Sequence, residues 1–119
     1  MRDIIFRGKR VDNDEWTEGY FFKSWDKVFL LWGMTGDSPN MEEVKPETVG
    51  QYTGLTDKNG KKIFEGDILL KGFEKVLVKW NANQCRWGIY SNNYEICGFN
   101  ESTQGYFEVI GNIYDNKEE

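Results

Sequence analysis

The stretch VGQYTGLTDKNGKKIFEGDILL, residues 49–70, decides the fold of this chain. Its first half predicts a strand that ends at a tight turn, because Asn59-Gly60 is a common hairpin pair in which both residues take positive φ. Its second half predicts a return strand from Ile63 to Leu70, which Gly66 bends through a kink or bulge. A sharply bent strand between tight turns is typical of small β-barrels.

The residues that follow continue this pattern of short strands. Residues 75–80 alternate cleanly, with Val76, Val78 and Trp80 on one side, and residues 85–90 alternate in the same way. The alternation places Cys85 beside Trp87 and Ile89, so we expect Cys85 in the core. A short strand is expected at residues 94–97. The last strand, residues 106–114, is apolar on both faces, so we expect it to be central or covered.

The residues before the decisive stretch predict a β-hairpin layer. Strands are expected at residues 4–9, 15–22 and 28–32. The segment GMTGDSPN, residues 33–40, is dense in turn-forming residues and predicts an exposed loop. Residues 41–47 could hold one helical turn that Pro46 would end.

Composition supports an all-β protein. The chain has 119 residues, 13 of them glycine and 2 proline, and 16% are aromatic. We expect a small SH3-like barrel with an N-terminal β-hairpin extension. The predicted divisions are residues 1–48 for the extension, 49–116 for the barrel and 117–119 for a charged tail.

The residue types exclude much chemistry. The chain has no histidine, so a Ser-His-Asp or Cys-His nucleophile cannot form, and a structural zinc site is not expected from two cysteines. No nucleotide-binding glycine motif is present. We therefore expect no catalytic residue, no metal and no cofactor. The opening MRDIIFRGKR lacks the apolar segment of a signal peptide and no stretch is long enough to span a bilayer, so we expect a location in the cytoplasm, with no membrane partner.

Two acidic motifs have ordinary structural explanations. Glu65 and Asp67 would share one face of a strand and could do acid–base work, but carboxylates beside a glycine bend usually accept backbone hydrogen bonds. The sequence Asp57-Lys58-Asn59-Gly60 begins like a calcium loop. Lys61 then stands where the next acidic ligand should be, so an ordinary turn is expected.

Charge is unevenly distributed along the chain, whose net charge is −5. Residues 58–90 carry seven Lys or Arg and three Asp or Glu, a local charge of +4. Basic and aromatic residues on a small barrel can bind single-stranded nucleic acid through phosphate contacts and stacking. The alternative is a solvated strand face whose lysines guard an edge. The candidate partner-binding residues are Lys75, Lys79, Trp80, Arg86, Trp87 and Tyr90.

The nineteen aromatic residues also admit two interpretations. Most are needed in the core of so small a protein. A few exposed together would mark a contact surface for another protein or for a second copy of this chain. We therefore expect function by protein binding, with nucleic-acid binding as the alternative.

Four blocks of sequence resemble the YopX-like proteins encoded by phages and prophages. They are Gln51–Leu55, Asp57–Gly60, Glu65–Ile68 and Gly111–Tyr114, and the opening FRGKRVDNDEWTEGY is also similar. The resemblance covers most of the chain except residues 72–104. It implies an SH3-type barrel in the C-terminal part and a phage or prophage accessory protein in a bacterial host cell, and it implies no particular activity.

Overall fold

The computed structural model describes residues 4–100 and 104–115. These residues form eleven strands and two short 3-10 turns and contain no α-helix, which confirms the all-β class. No helix in this described part is long and apolar enough to cross a membrane. The predicted charged tail at 117–119 lies outside the described residues. Contacts group the chain into two compact units, Met1–Tyr52 and Thr53–Glu119. The division predicted at residue 48 stays a prediction.

The first unit is an antiparallel meander with strand order β4-β3-β2-β1. Its strands are β1 (Phe6–Lys9), β2 (Trp16–Ser24), β3 (Lys27–Thr35) and β4 (Ser38–Val44). The beginning of β5 (Gly50–Thr56) pairs with β1, with Gln51 opposite Phe6. This arrangement confirms the predicted strands at this end of the chain, although β2 and β3 are longer than predicted.

The meander curls back on itself. An isolated bridge joins Arg10 to Val44, and the Val11 N–H donates to the Glu43 carbonyl at 3.0 Å. The concave face buries Val28, Leu30 and Val44, and half-buried Phe6 and Val49 pack against them. Gly8 allows this close approach, since a Cβ there would lie 3.0 Å from the Val44 side chain, which would have to shift.

The prediction of an exposed loop at residues 33–40 is wrong. Strands β3 and β4 extend through it as a hairpin, with Thr35 opposite Ser38 and only Gly36-Asp37 in the turn. Gly36 takes a φ of 63°, which glycine adopts without cost. Backbone pairing and a hydrogen bond from the Asn40 amide to the Thr35 hydroxyl, at 3.1 Å, maintain this hairpin despite its polar sequence.

The predicted helical turn at residues 41–47 is also wrong. Residues up to Val44 belong to β4, and a 3-10 turn spans Pro46–Thr48. Pro46 begins this turn, as its fixed φ and missing N–H permit. The Thr48 hydroxyl then accepts the Lys9 N–H at 2.9 Å and fastens the turn to β1.

The second unit contains a five-stranded antiparallel sheet of order β10-β9-β8-β7-β11. After β6 (Lys62–Phe64), which neighbours β5, come β7 (Asp67–Lys71), β8 (Glu74–Asn81), β9 (Arg86–Ser91), β10 (Tyr94–Gly98) and β11 (Glu108–Asn112). A second 3-10 turn spans Gln104–Tyr106. The buried cluster of this unit comprises Ile63, Leu69, Val76, Val78, Ile89, Phe99 and Phe107.

The bend at Gly66 is confirmed. Gly66 takes a φ of 91° in the turn between β6 and β7, so the predicted return strand is two short strands. Its N–H donates to the Val78 carbonyl and its carbonyl accepts the Ile113 N–H, both at 3.0 Å. A Cβ at Gly66 would lie 3.0 Å from the Tyr114 ring. Gly66 therefore joins three segments at a place where an added Cβ would push against the Tyr114 ring.

The turn after β5 is confirmed, but its geometry differs from the prediction. Gly60 takes a φ of 84°, whereas Asn59 does not take positive φ. The reason is the Asp57 carboxylate, whose Oδ1 accepts the N–H groups of Asn59 and Lys61, each at 2.8 Å. This Asx-type bonding shapes a wider turn than a two-residue hairpin.

Asp57 also reaches across to the last strand. Its Oδ2 accepts the Val109 N–H at 3.0 Å, and the Lys58 N–H donates to the Phe107 carbonyl at 3.0 Å. Asp57 is only 5% exposed, and burial alone raises the pKa of its carboxyl. The three backbone hydrogen bonds outweigh burial and hold the pKa below its ordinary value.

Two further predictions are corrected. The last strand, expected to be central or covered, is not central: it stands at the end of the sheet order, and the Asp57 turn meets its outer edge. Cys85 is not in the core. It lies exposed in the turn between β8 and β9 with a φ of 53°. Closure of the second unit into an SH3-like barrel stays a prediction.

The glycine bend yields a matched pair of substitutions. We expect Gly66→Ala to destabilise the protein by about 2–4 kcal/mol, since it adds a contact with Tyr114 to the cost of positive φ. Gly60 has a similar φ but open space around an added Cβ, so we expect Gly60→Ala to destabilise the protein by only about 1 kcal/mol. Urea denaturation measures both. Equal losses would contradict the role given to Tyr114.

Asp57 yields a pH-dependent prediction. Because its folded pKa is lowered, its stabilisation is present above the unfolded pKa of about 4 and is lost as the pH falls through the folded value. Asp57→Asn places an amide NH2, which cannot accept a hydrogen bond, opposite one of the three N–H donors. We therefore expect the free energy of unfolding at pH 7 to fall by about 2 kcal/mol. The difference from wild type should shrink toward pH 3.

Thermal melts at neutral and acidic pH measure this effect, and Asp37→Asn in the exposed β3–β4 turn is the control. If Asp57→Asn has the same melting temperature as the wild type at pH 7, the three hydrogen bonds contribute nothing to stability.

Candidate binding surfaces

The six predicted partner-binding residues lie on the β8–β9 hairpin, but on its two different faces. Trp80 stands directly opposite Trp87, and Leu77 stands opposite Tyr90. Directly opposed residues share a face, and residues two apart along a strand do as well. The two tryptophans therefore lie on the face that carries Val78 and Ile89, and Tyr90 lies on the other.

The tryptophans form a pair at the end of the core. Their rings meet edge to face at a centroid distance of 5.1 Å. Trp87 is half-buried against the core cluster, whereas Trp80 is 47% exposed. The sequence placed these rings near the basic side chains, but the pleat of the sheet separates the two groups.

The basic residues share the outer face of this sheet. The Lys79 ammonium lies 4.6 Å from the centre of the Tyr90 ring, and this cation–π contact is attractive. Lys75 lies two residues from Leu77 on the same face. Within the described residues, neither lysine has a carboxylate at ion-pair distance.

Arg86 is neutralised by Glu95. Its guanidinium donates to both carboxylate oxygens, at 2.9 and 3.3 Å. The hydrogen bond from Arg86 lowers the pKa of Glu95, and the same bond raises the pKa of Arg86. Gly88 makes room for this pair, since a Cβ at Gly88 would collide with the Glu95 carboxylate. The Arg86 side chain therefore links β9 to β10.

An open groove lies on the same outer face. Its volume is about 430 Å³. Its floor is apolar and its border includes one lysine, and the residues that define it here are Ile68, Lys75, Leu77, Tyr90, Ile110 and Ile113. Ile110 and Ile113 are each 41% exposed, so apolar surface remains accessible to a ligand. Sequence reasoning missed the groove because its floor adds Ile110 of β11 to residues of β7, β8 and β9, and the pairing of β11 with β7 is not evident from the sequence.

The candidate acidic pair has a structural role at Asp67. The Asp67 Oδ2 accepts the Phe64 N–H at 2.8 Å across the Gly66 bend, and the side chain is 1% exposed. Glu65 lies in the bend itself rather than on a strand. In the part of the chain that the structure describes, no group of three acidic or cysteine residues could hold a metal ion.

A second surface lies on the convex side of the first unit. Tyr20, Leu31 and Met41 stand opposite one another across β2, β3 and β4, and Phe22 and Phe29 stand opposite one another in the next row. We call these five residues the outer aromatic face. Tyr20 is 62% exposed, Phe22 46% and Met41 41%. The Phe22 and Phe29 ring centres are 6.2 Å apart.

The edge of this face on β1 and β2 is polar. Arg7 stacks over the Trp16 ring at 4.7 Å, and the Lys9 ammonium lies 5.5 Å from the same ring centre. An apolar centre beside a polar rim is the usual anatomy of a protein interface. Sequence reasoning missed this face because Tyr20-Phe21-Phe22 does not reveal which rings point inward. Leu30, which stands opposite Phe21, is fully buried and identifies the inner side.

Comparison with known proteins gives a family and a fold. The family model described as YopX protein matches residues 6–118. The chain is similar to the crystal structure of protein EF1440 from Enterococcus faecalis, with 24% sequence identity, a TM-score of 0.59, and coverage of 99% of this chain and 98% of that chain. This likeness supports the fold alone. No curated protein matches the chain. Since the family match spans nearly the whole sequence, the chain belongs to the YopX protein family.

Proposed function

We propose that this protein is a small phage or prophage accessory protein that acts by binding another protein rather than by catalysis. The observation that carries the proposal is the outer aromatic face, where five large apolar side chains lie together on three neighbouring strands. The family resemblance supports the phage setting. The bacterial cytoplasm suits Cys85 and Cys97, which are both free thiols.

The size and chemistry of the outer aromatic face favour a protein partner. Soluble monomers rarely keep a continuous apolar patch of several large side chains in water. Tyrosine and phenylalanine contribute large contact area with few rotatable bonds, so they lose little entropy on binding. The partner can be a different protein or a second copy of this chain.

The carboxylates also support binding over catalysis. Asp57 and Asp67 are buried and accept backbone N–H groups. A general base needs a carboxylate that reaches substrate in a pocket. These two side chains instead hold turns, so their chemistry serves the fold.

A variant with Tyr20→Thr and Phe22→Thr tests the proposal. Threonine keeps β propensity while it removes the rings, so the fold should persist. Immobilised wild-type protein should retain a partner from host cells, and the double variant should bind it about tenfold to thirtyfold more weakly, as expected for central interface residues. Sedimentation analysis of the purified chain tests whether the partner is a second copy of the chain.

The control is Phe73→Ser in the β7–β8 turn, which removes a fully exposed ring elsewhere. Circular dichroism and thermal melts establish that all variants are folded. Partner retention that survives the double variant, or a catalytic activity that one substitution abolishes while the outer aromatic face is intact, would overturn the proposal.

The second candidate function is nucleic-acid binding by the basic side of the β8–β9 hairpin. Lys75 and Lys79 favour it, because neither has a carboxylate partner among the described residues. It has less support than protein binding, since Arg86 is paired with Glu95 and the tryptophans lie on the opposite face.

Fluorescence anisotropy with a single-stranded oligonucleotide tests this candidate. If it holds, Lys75→Gln with Lys79→Gln should weaken binding about threefold to tenfold at low salt and reduce its salt dependence. Lys27→Gln with Lys23→Gln on the first unit is the control with the same net charge. No anisotropy change at low salt would exclude the candidate.

A further inference from the structure

We propose that the groove on the outer face of the five-stranded sheet binds a peptide segment that combines aliphatic or aromatic side chains with flanking carboxylates. The groove is distinct from the outer aromatic face, and the inference does not depend on the function proposed for that face. It rests on the chemistry of the floor, on the charges beside it and on the state of the one aromatic ring that lines it.

The floor suits apolar side chains. Ile68, Leu77 and Tyr90 form one continuous row across β7, β8 and β9, because each stands directly opposite the next. Ile110 and Ile113 extend the floor beside β7. The volume of about 430 Å³ is enough for two or three side chains of a ligand.

The charges beside the floor are positive. Lys75 and Lys79 lie on either side of Leu77 along β8, at intervals of about 7 Å for residues two apart. The nearby acids on this face are already engaged, since Glu95 binds Arg86 and Glu108 lies 3.7 Å from the Lys58 ammonium. Lys75 and Lys79 are therefore available to a ligand, and carboxylates spaced along an extended peptide match them.

The state of Tyr90 favours a peptide over nucleic acid. Bases bind small barrels by stacking on open aromatic faces. The Lys79 ammonium covers the Tyr90 ring at 4.6 Å, and the other side chains of the floor are aliphatic. A base would have to displace Lys79 in order to stack on this ring, whereas an aliphatic side chain fits between isoleucines.

Three synthetic peptides test the inference, each with a central Leu-Phe pair flanked by glutamates, by glutamines or by lysines. Binding to the full chain is followed by fluorescence anisotropy and by amide shifts in NMR spectra. We expect the glutamate peptide to bind at least about fivefold more tightly than the glutamine peptide, and the lysine peptide to bind more weakly still. The largest shifts should fall at Leu77, Tyr90 and Ile110.

Charge reversal identifies the lysines. Lys75→Glu and Lys79→Glu should each weaken binding of the glutamate peptide about fivefold or more. Lys27→Glu, with the same change of net charge, should leave that affinity unchanged. Ile110→Thr should weaken the binding of all three peptides. Tyr20→Thr with Phe22→Thr should have no effect, which separates this result from a failure of the protein-binding proposal.

Four results would overturn the inference. They are equal affinity for the three peptides, shifts confined to the first unit, no shift at millimolar peptide, and tighter binding of a single-stranded oligonucleotide that Lys75→Glu abolishes.

Discussion

The Asp57 carboxylate is the interaction on which the second unit most depends. One side chain satisfies the N–H groups of Asn59 and Lys61 in its own turn and of Val109 in the last strand. The turn that follows β5 is thereby fixed to a strand more than fifty residues away. The same bonds cover part of the outer edge of β11, where exposed N–H groups would otherwise invite pairing with another chain.

The thin core of the first unit explains why its aromatic residues are accessible. Three large hydrophobic residues of the described part are buried there, Val28, Leu30 and Val44, whereas the second unit buries a hydrophobic cluster more than twice that size. A single curled sheet has one concave side, and glycines at positions 8 and 19 bring its strands close together there. Rings such as Tyr20 and Phe22, on its convex side, are left exposed. Aromatic rings reach the surface in both units, but only the second unit buries phenylalanines, Phe99 and Phe107, in the core of its described part.

Local signals in the sequence predicted local structure well. The alternation at Val76 and Val78, the glycine at position 66 and the turn after Asp57 all follow from short-range rules that the structure obeys. The hairpin through residues 33–40 was missed because cross-strand pairing, not composition, maintains it. The Arg86–Glu95 pair was missed because it depends on β9 and β10 lying side by side and on the absence of a side chain at Gly88. Contacts of this kind need the register, which composition does not specify.

The Arg86–Glu95 pair also determines the charge beside the groove. The hydrogen bond from Arg86 lowers the pKa of Glu95, so the carboxylate is ionised at neutral pH. The pair contributes no net charge there, and its guanidinium packs against Gly98 rather than turning toward a ligand. The potential at the floor is therefore set by the ammonium groups of Lys75 and Lys79. A positive groove follows in a chain whose net charge is −5, because the fold neutralises one cation and leaves two beside an apolar floor.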